Sequence, residues 1–398
     1  MFHFEARKLI ILSLGNADKI IVHSQQILLS LFFAFSTVQA QTGAVTTWTP
    51  PAWSNTTATG TVDDTFTVPE SLKNDVDFWI KIYSQYTTQQ GVFHVSGDTE
   101  QILGDIDLTQ VYANTKWSNI RKELEAKILT ERQKRRLAIQ YGINIKKIRL
   151  QMGLKDRMAE AIKLSGMYLP MMENIFREEK IPQELTRVVF VESSFNIQAQ
   201  SRAGASGLWQ IMPRVSKQFK YMSDAQDLRN HPYYATKLAA KILKQNYQIL
   251  KSWPLAVTAY NCGVGGLNKV VKKYKSNDIS YLVENAKAKR GFGFASKNYY
   301  VTFLAALNVE SHANLYFPEP IYKYKELPVQ YLKVTKKLPY TEFLALFDDD
   351  RAKLKLYNPH LKNKYLHPGK YLPVGVIANI PTKAKNRLGG VEDERFSF

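Results

Sequence analysis

The sequence predicts a mainly α protein: N-terminal helices, a compact helical domain over residues 165–320, and a small α+β module after it. Three features predict this. From about Ser71 to Lys180, long stretches carry apolar residues at mostly helical spacing. From Ile181 to about Phe317, helical segments alternate with Gly-rich breaks. After Pro318 the texture shifts to shorter alternating segments, which places a boundary near residue 320. With 398 residues, 45% of them hydrophobic, the chain can bury one sizeable core and a smaller one besides.

The run QQILLSLFFAFSTVQA, residues 25–40, combines an apolar core of about signal-peptide length with the small-x-small ending Val38-Gln39-Ala40. Residues 1–40 therefore read as an export signal, with a single uncleaved membrane anchor as the alternative. The expected location is the periplasm or cell envelope. Lys and Arg total 54 against 35 Asp and Glu, and this net charge of +19 predicts attraction to an anionic polymer or surface. Export argues against nucleic acid and leaves an acidic cell wall or an anionic membrane. Cys262 is the only cysteine, so no intrachain disulfide forms and none sits at the cleavage site to carry a lipid. Nothing in the sequence specifies an oligomeric state.

Residues 41–68 are rich in Thr, Ser, Gly and Pro without periodicity and read as a flexible linker. Residues 69–164 read as an N-terminal helical region. It includes NIRKELEAKILTERQKRRLAIQYG, whose basic cluster reads as a solvated helix face that could instead meet an anionic surface. A second helical stretch, from Leu154 to Lys180, has Met158, Ile162, Leu164 and Met167 at mostly helical spacings. Residues 321–383 form the C-terminal module and 384–398 a tail.

The chemistry concentrates in VESSFNIQAQSRAGASGLWQIMP, residues 191–213. On a helix starting at Pro182, Leu185, Val188 and Val189 mark a core-facing stripe, and Glu192 falls where that stripe would place another apolar residue. Burial and a helix C-terminus both disfavour its charge, so its pKa is expected to rise toward a useful general acid. A salt-bridged glutamate at the domain edge is the bland alternative. Gly204 to Gly207 form a segment of little bulk, and GLWQIMP sets Gln210 among Leu208, Trp209, Ile211 and Met212. This reads either as an apolar sugar-binding wall with one placed amide, or as a small core helix with Gln210 bonded to backbone. AVTAYNCGVGG supplies a helix end bearing Tyr260, which could donate to Glu192, and Asn261, followed by glycines that open a loop. Cys262 has no His near it in sequence and reads as packing rather than as a nucleophile. No His or Cys cluster has metal-ligand spacing, so neither metal nor cofactor is implied.

Taken together, Glu-Ser at 192–193, Ser201 nine beyond the Glu, Gly-Leu-x-Gln-x-Met-Pro at 207–213 and Ala-Tyr-Asn at 259–261 resemble the soluble-type lytic transglycosylases. The helices before them resemble the membrane-bound type D branch. The resemblance implies a goose-type, lysozyme-like helical domain acting on peptidoglycan strands. It also implies Glu192 as sole acid and base, with Ser193, Ser201, Gln210, Met212, Tyr260 and Asn261 lining the sugar site. Tyr299 aligns with a later family motif in which Ala295 replaces the usual acid. The implied reaction breaks the MurNAc–GlcNAc bond without water and leaves a 1,6-anhydro end. A hydrolytic muramidase on the same fold and a non-catalytic wall-binding protein are the rivals. The stretch beyond residue 325 resembles a LysM glycan-binding module, with a structural appendage as the alternative.

Overall fold

The computed structural model describes residues 64–287, 292–384 and 396–397. The expected signal segment, nearly all of the linker and most of the tail lie outside them. The elements run α1 (Lys73–Ser84), β1 (Gln90–Val95), β2 (Asp98–Asp107), α2 (Thr109–Ala113), α3 (Asn119–Tyr141), β3 (Ile148–Met152), α4 (Lys155–Ser165), α5 (Leu169–Glu178) and α6 (Val188–Glu192). They continue with α7 (Pro213–Gln218), α8 (Pro232–Leu250), α9 (Trp253–Cys262), α10 (Val264–Tyr274), α11 (Ile279–Asn285), α12 (Phe294–Ser311) and α13 (Ala313–Tyr316). The C-terminal part holds β4 (Val329–Val334), β5 (Leu338–Pro339), α14 (Tyr340–Ala345), α15 (Arg351–Tyr357), β6 (Tyr371–Leu372), β7 (Ile377–Pro381) and β8 (Phe396–Ser397). The expected mainly α class stands.

Helix α12 is the axis of the main core. Tyr300, Phe303, Leu304, Ala305, Ala306 and Val309 are all buried along it, a helix that is apolar nearly all round because it is surrounded. Helices α1, α6 and α9 pack on it. Leu185, Val188 and Val189 join the same core, as the stripe predicts.

Three local expectations fail for identifiable reasons. The N-terminal region is not all helical, because β1 pairs antiparallel with both β2 and β3. Strands β1 and β2 form a hairpin across Ser96-Gly97, while β3 joins β1 from beyond α3 and Leu137 of α3 completes their hydrophobic cluster, so part of what makes them strands is remote in sequence. The Leu154–Lys180 stretch is two helices, broken at Gly166–Tyr168. Gly166 lies where a Cβ would come within 2.2 Å of the Tyr324 carbonyl oxygen, so close backbone approach requires glycine. GLWQIM is not a helix; it is a turn flanked by bridges pairing Ser206 with both Gln200 and Ile211.

The C-terminal part mixes short strands and helices as the sequence predicts, with β4 antiparallel to β7 around Leu332, Val334, Phe343, Phe347 and Leu354. It is stitched to the segment before α8. Asp227 N donates to His360 O at 2.8 Å, Lys362 N to Ala225 O at 3.0 Å, and Ile377 N to Gln226 Oε1 at 2.8 Å. His231 Nε2 donates to Asn379 Oδ1 at 2.8 Å, a direction fixed because the Asn379 amide already donates to Tyr357 O. His360 Nε2 likewise donates to Ile377 O at 2.9 Å.

The rings of His231 and His360 lie 4.4 Å apart, and neither Nδ1 finds a partner among the described residues. Burial pushes the His360 pKa down to about 4, and burial plus the neighbouring His360 pushes His231 well below its ordinary value. Both are neutral when folded and take up protons when unfolded below about pH 6.5. Stability is therefore expected to fall progressively as pH drops from about 6.5 toward 4. Thermal midpoints measured across this window check it, and His360→Gln should flatten the dependence.

Candidate active site

Glu192 is the last residue of α6, which follows a 3-10 turn over Gln183–Arg187. The continuous helix expected from Pro182 is therefore interrupted, although its core stripe survives. Burial pushes the Glu192 carboxyl up to about 7, partly offset by the Tyr299 hydroxyl. That hydroxyl donates to Glu192 Oε1 at 2.5 Å. Here the structure departs from one expectation: Tyr260 donates to Trp209 O at 2.8 Å, not to the carboxylate. Both rings nevertheless border the glutamate, as does that of Tyr83. Burial first, and the nearby Glu192 charge second, push all three phenols up and keep them neutral donors.

Tyr83 comes from α1 and carries no signal in the sequence. One turn earlier, Trp79 Nε1 donates to Asn298 Oδ1 at 3.0 Å, directly before Tyr299. The N-terminal helix thus braces the helix that holds Tyr299. Tyr299→Phe is expected to raise the Glu192 pKa further, because it removes a donor to the carboxylate. Titration of the Glu192 carboxyl in the variant and the wild type, followed by NMR, checks the sign.

The loop after Glu192 is built from backbone hydrogen bonds. Ser193 Oγ donates to Leu208 O at 2.7 Å, and Ser201 Oγ accepts from Ala205 N at 2.9 Å. Gln210 Nε2 donates to Ala199 O at 3.0 Å and Gly207 O at 2.9 Å. The amide proposed to orient a sugar thus spends both its N–H groups on the loop. Leu208, Trp209 and Ile211 are core residues, with Trp209 stacked 5.6 Å from Phe176, and only Met212, 42% exposed, presents an apolar side chain outward. The apolar wall read from the sequence is mostly the inside of the protein.

Two devices hold this loop. Gly207, at φ +77°, lies where a Cβ would come within 2.3 Å of Arg229 O, which only glycine tolerates. Arg229, itself buried and paired with Asp227, donates through Nη1 to Gly204 O at 2.6 Å and Ile211 O at 3.0 Å. Sequence reasoning missed this clamp, since Asp227 and Arg229 lie far from the motif. It also missed Arg187, whose Nε meets Glu310 Oε2 at 3.1 Å and which also bonds Glu173. A charge inside the apolar run LTRVVFVE was the available signal.

On α9, Asn261 Oδ1 accepts from Ser296 Oγ at 3.2 Å. Gly263, at φ +86°, joins α9 to α10 without the open loop expected there. Burial pushes the Cys262 thiol up to about 11, and its Sγ donates to Thr258 O at 3.4 Å. A protonated thiol bonded to backbone fits the packing reading.

Residues 171–283 match the family model of the Transglycosylase SLT domain. Within these residues the chain is similar to that domain family. The match contains Glu192, its loop, Tyr260 and Asn261, whereas Tyr83 and Tyr299 lie outside it. Over 106 residues the chain is 31% identical to "Membrane-bound lytic murein transglycosylase D" of Escherichia coli (strain K12), covering 26% of this chain and 24% of that protein. It is 29% identical over 117 residues to "Putative tributyltin chloride resistance protein" of Alteromonas sp. (strain M-1), covering 28% of this chain and 56% of that one. The chain thus spans about a quarter and about half of the lengths of these two relatives. Among solved structures, the 70 kDa soluble lytic transglycosylase SLT70 of Escherichia coli aligns with TM-score 0.29 and 20% identity, over 37% of this chain and 24% of that one.

Proposed function

We propose that this protein is a peptidoglycan lytic transglycosylase of the cell envelope, using Glu192 as acid and then base. The observation that carries the reading is a single carboxyl, raised to about 7 by burial and held by Tyr299, next to a loop inside a transglycosylase SLT domain. Its ionisation is set by burial and Tyr299 rather than by a second carboxylate, unlike the paired arrangement of most glycosidases. The name of the Escherichia coli relative, a lytic murein transglycosylase, supports the same substrate class.

In this reading neutral Glu192 protonates the oxygen between N-acetylmuramic acid and N-acetylglucosamine as that bond breaks. The resulting carboxylate removes the proton from the muramic C6 hydroxyl, whose oxygen closes on the anomeric carbon. The proton balance is zero, no water is consumed, and a 1,6-anhydro end remains. Tyr299 stabilises the transient carboxylate by its hydrogen bond. Ser193, Ser201 and Gln210 act by holding the loop in shape, while Met212, Tyr260 and Asn261 border the sugar. We assign residues 165–320 to catalysis and 321–383 to a module docked on it.

Digestion of purified glycan strands followed by mass spectrometry of the ends tests the reading. Anhydromuramic ends support it. Reducing muramic ends would replace it with a muramidase, and absence of cleavage, unchanged by Glu192→Gln, would leave a wall-binding protein.

A further inference from the structure

Helix α3 has two apolar sides, of which the fold uses one. It is well delimited: Ser118 Oγ accepts from Arg121 N at 3.3 Å at its start, and Gly142 ends it at φ +63°. Ala126 and Leu137 are buried and face the small sheet. On the opposite side Ile120, Leu124, Ile128 and Ile139 are exposed by 53%, 57%, 43% and 85%. At 3.6 residues per turn these four fall within about 100° of one another, Ile120, Leu124 and Ile128 on successive turns and Ile139 near the far end of a helix roughly 34 Å long, with Glu131, Arg132 and Arg135 on the same side between them. Exposed Arg121, Arg132, Arg135 and Arg136 lie on and beside the stripe, and Glu125 and Glu131 share that side without cancelling it. The helix as a whole has seven basic and three acidic residues. The guanidinium of Arg121 stacks 4.8 Å from the ring of Trp117 at the N-terminal end.

From this face we infer that α3 lies in the plane of an anionic phospholipid surface, apolar stripe among the acyl chains and arginines at the phosphates. Large aliphatic side chains flanked by arginines, on a helix face the protein leaves uncovered, are what in-plane membrane helices present. The charge selects an anionic surface, to which each basic residue held near it adds attraction. An anionic wall polymer satisfies the arginines but offers nothing to four exposed aliphatic side chains. A second copy of the chain satisfies the stripe but sets arginines against arginines. No helix among the described residues is long and apolar enough to cross a membrane, so the contact is lateral. The basic run that reads in sequence as a solvated face acquires a partner once the structure shows which side of it is free.

The test is a fluorophore that senses polarity, placed on the full chain at Ile139→Cys in a Cys262→Ser background. It reads the surroundings of α3 whatever else tethers the chain. With vesicles of phosphatidylglycerol and phosphatidylethanolamine, emission should shift to the blue and be quenched by acyl-chain nitroxide lipids. Pure phosphatidylcholine should give neither change. Adding Leu124→Gln with Ile128→Gln, both exposed and so without consequence for folding, should lower the vesicle-dependent signal at least about tenfold. A probe that stays in water on bound protein overturns the inference. So does a signal abolished by Arg132→Gln with Arg135→Gln but untouched by the apolar pair, which would mean adsorption by charge alone. A blue shift without vesicles that grows with protein concentration would assign the face to self-association instead. None of these readouts depends on glycan cleavage.

Discussion

Glu192→Gln is expected to lower kcat for glycan cleavage by about 10³-fold or more with little change in KM, because a glutamine can neither protonate the leaving oxygen nor accept the C6 proton. General acid–base groups typically contribute about 10² to 10⁴, and one residue here is proposed to serve in both steps. The same variant is expected to melt higher than the wild type at pH 8. The folded-state pKa of Glu192 is raised to about 7 from an ordinary 4.5, so above pH 7 the folded protein carries a buried charge that the unfolded chain carries in water. Stability from this group is fully present below its unfolded pKa and is lost as pH rises through the folded one. Gln removes that penalty while still accepting from Tyr299. Product release from purified strands and thermal unfolding at pH 5 and 8 check both halves. Unchanged turnover would remove Glu192 from the mechanism.

Arg187→Met is expected to destabilise the protein by about 3–5 kcal/mol, the typical cost of removing one partner from a buried ion pair. The Arg187 and Glu310 side chains are only 6% and 2% exposed. Without Arg187, Glu310 would keep the half-exposed Lys323, 2.6 Å from its other oxygen, as its partner. Arg187 joins the turn before Glu192 to the far end of α12, the helix that also presents Tyr299. The variant therefore tests whether acid and donor are held in register by this link. Denaturant unfolding gives the stability change, and a Glu310→Gln, Arg187→Met double variant should recover part of it, since the buried carboxylate left with Lys323 alone is then gone.

Much of the candidate site was legible because its motifs are local. Glu192, its loop and the Ala-Tyr-Asn segment each sit within a short stretch whose composition departs from a plain helix. What those residues do was less legible. Leu208, Trp209 and Ile211 look like a ligand wall in a one-dimensional reading and are core in three dimensions, because an apolar run says that burial occurs but not what covers it. Gln210 illustrates the same limit: of its two readings in the sequence, the structure takes the one in which the half-buried amide is spent on the backbone carbonyls of Ala199 and Gly207. Strands β1 and β2 form a local hairpin that the helical reading passed over, whereas β3 and the covering α3 reach it from farther along the chain.

The sequence by itself determined the mainly α class, the mixing of short strands with helices in the C-terminal part, and the candidate acid Glu192. Periodicity, turn residues and short motifs act over a few residues and survive without knowledge of contacts. Only the tertiary structure decided that Tyr299 and not Tyr260 donates to Glu192, that Tyr83 of the N-terminal helix borders it, and that Arg229 clamps its loop. It also decided which side of α3 is covered and which is left free. These depend on directions and distances between residues up to about a hundred positions apart, which folding fixes through burial of a shared core and which no local pattern encodes.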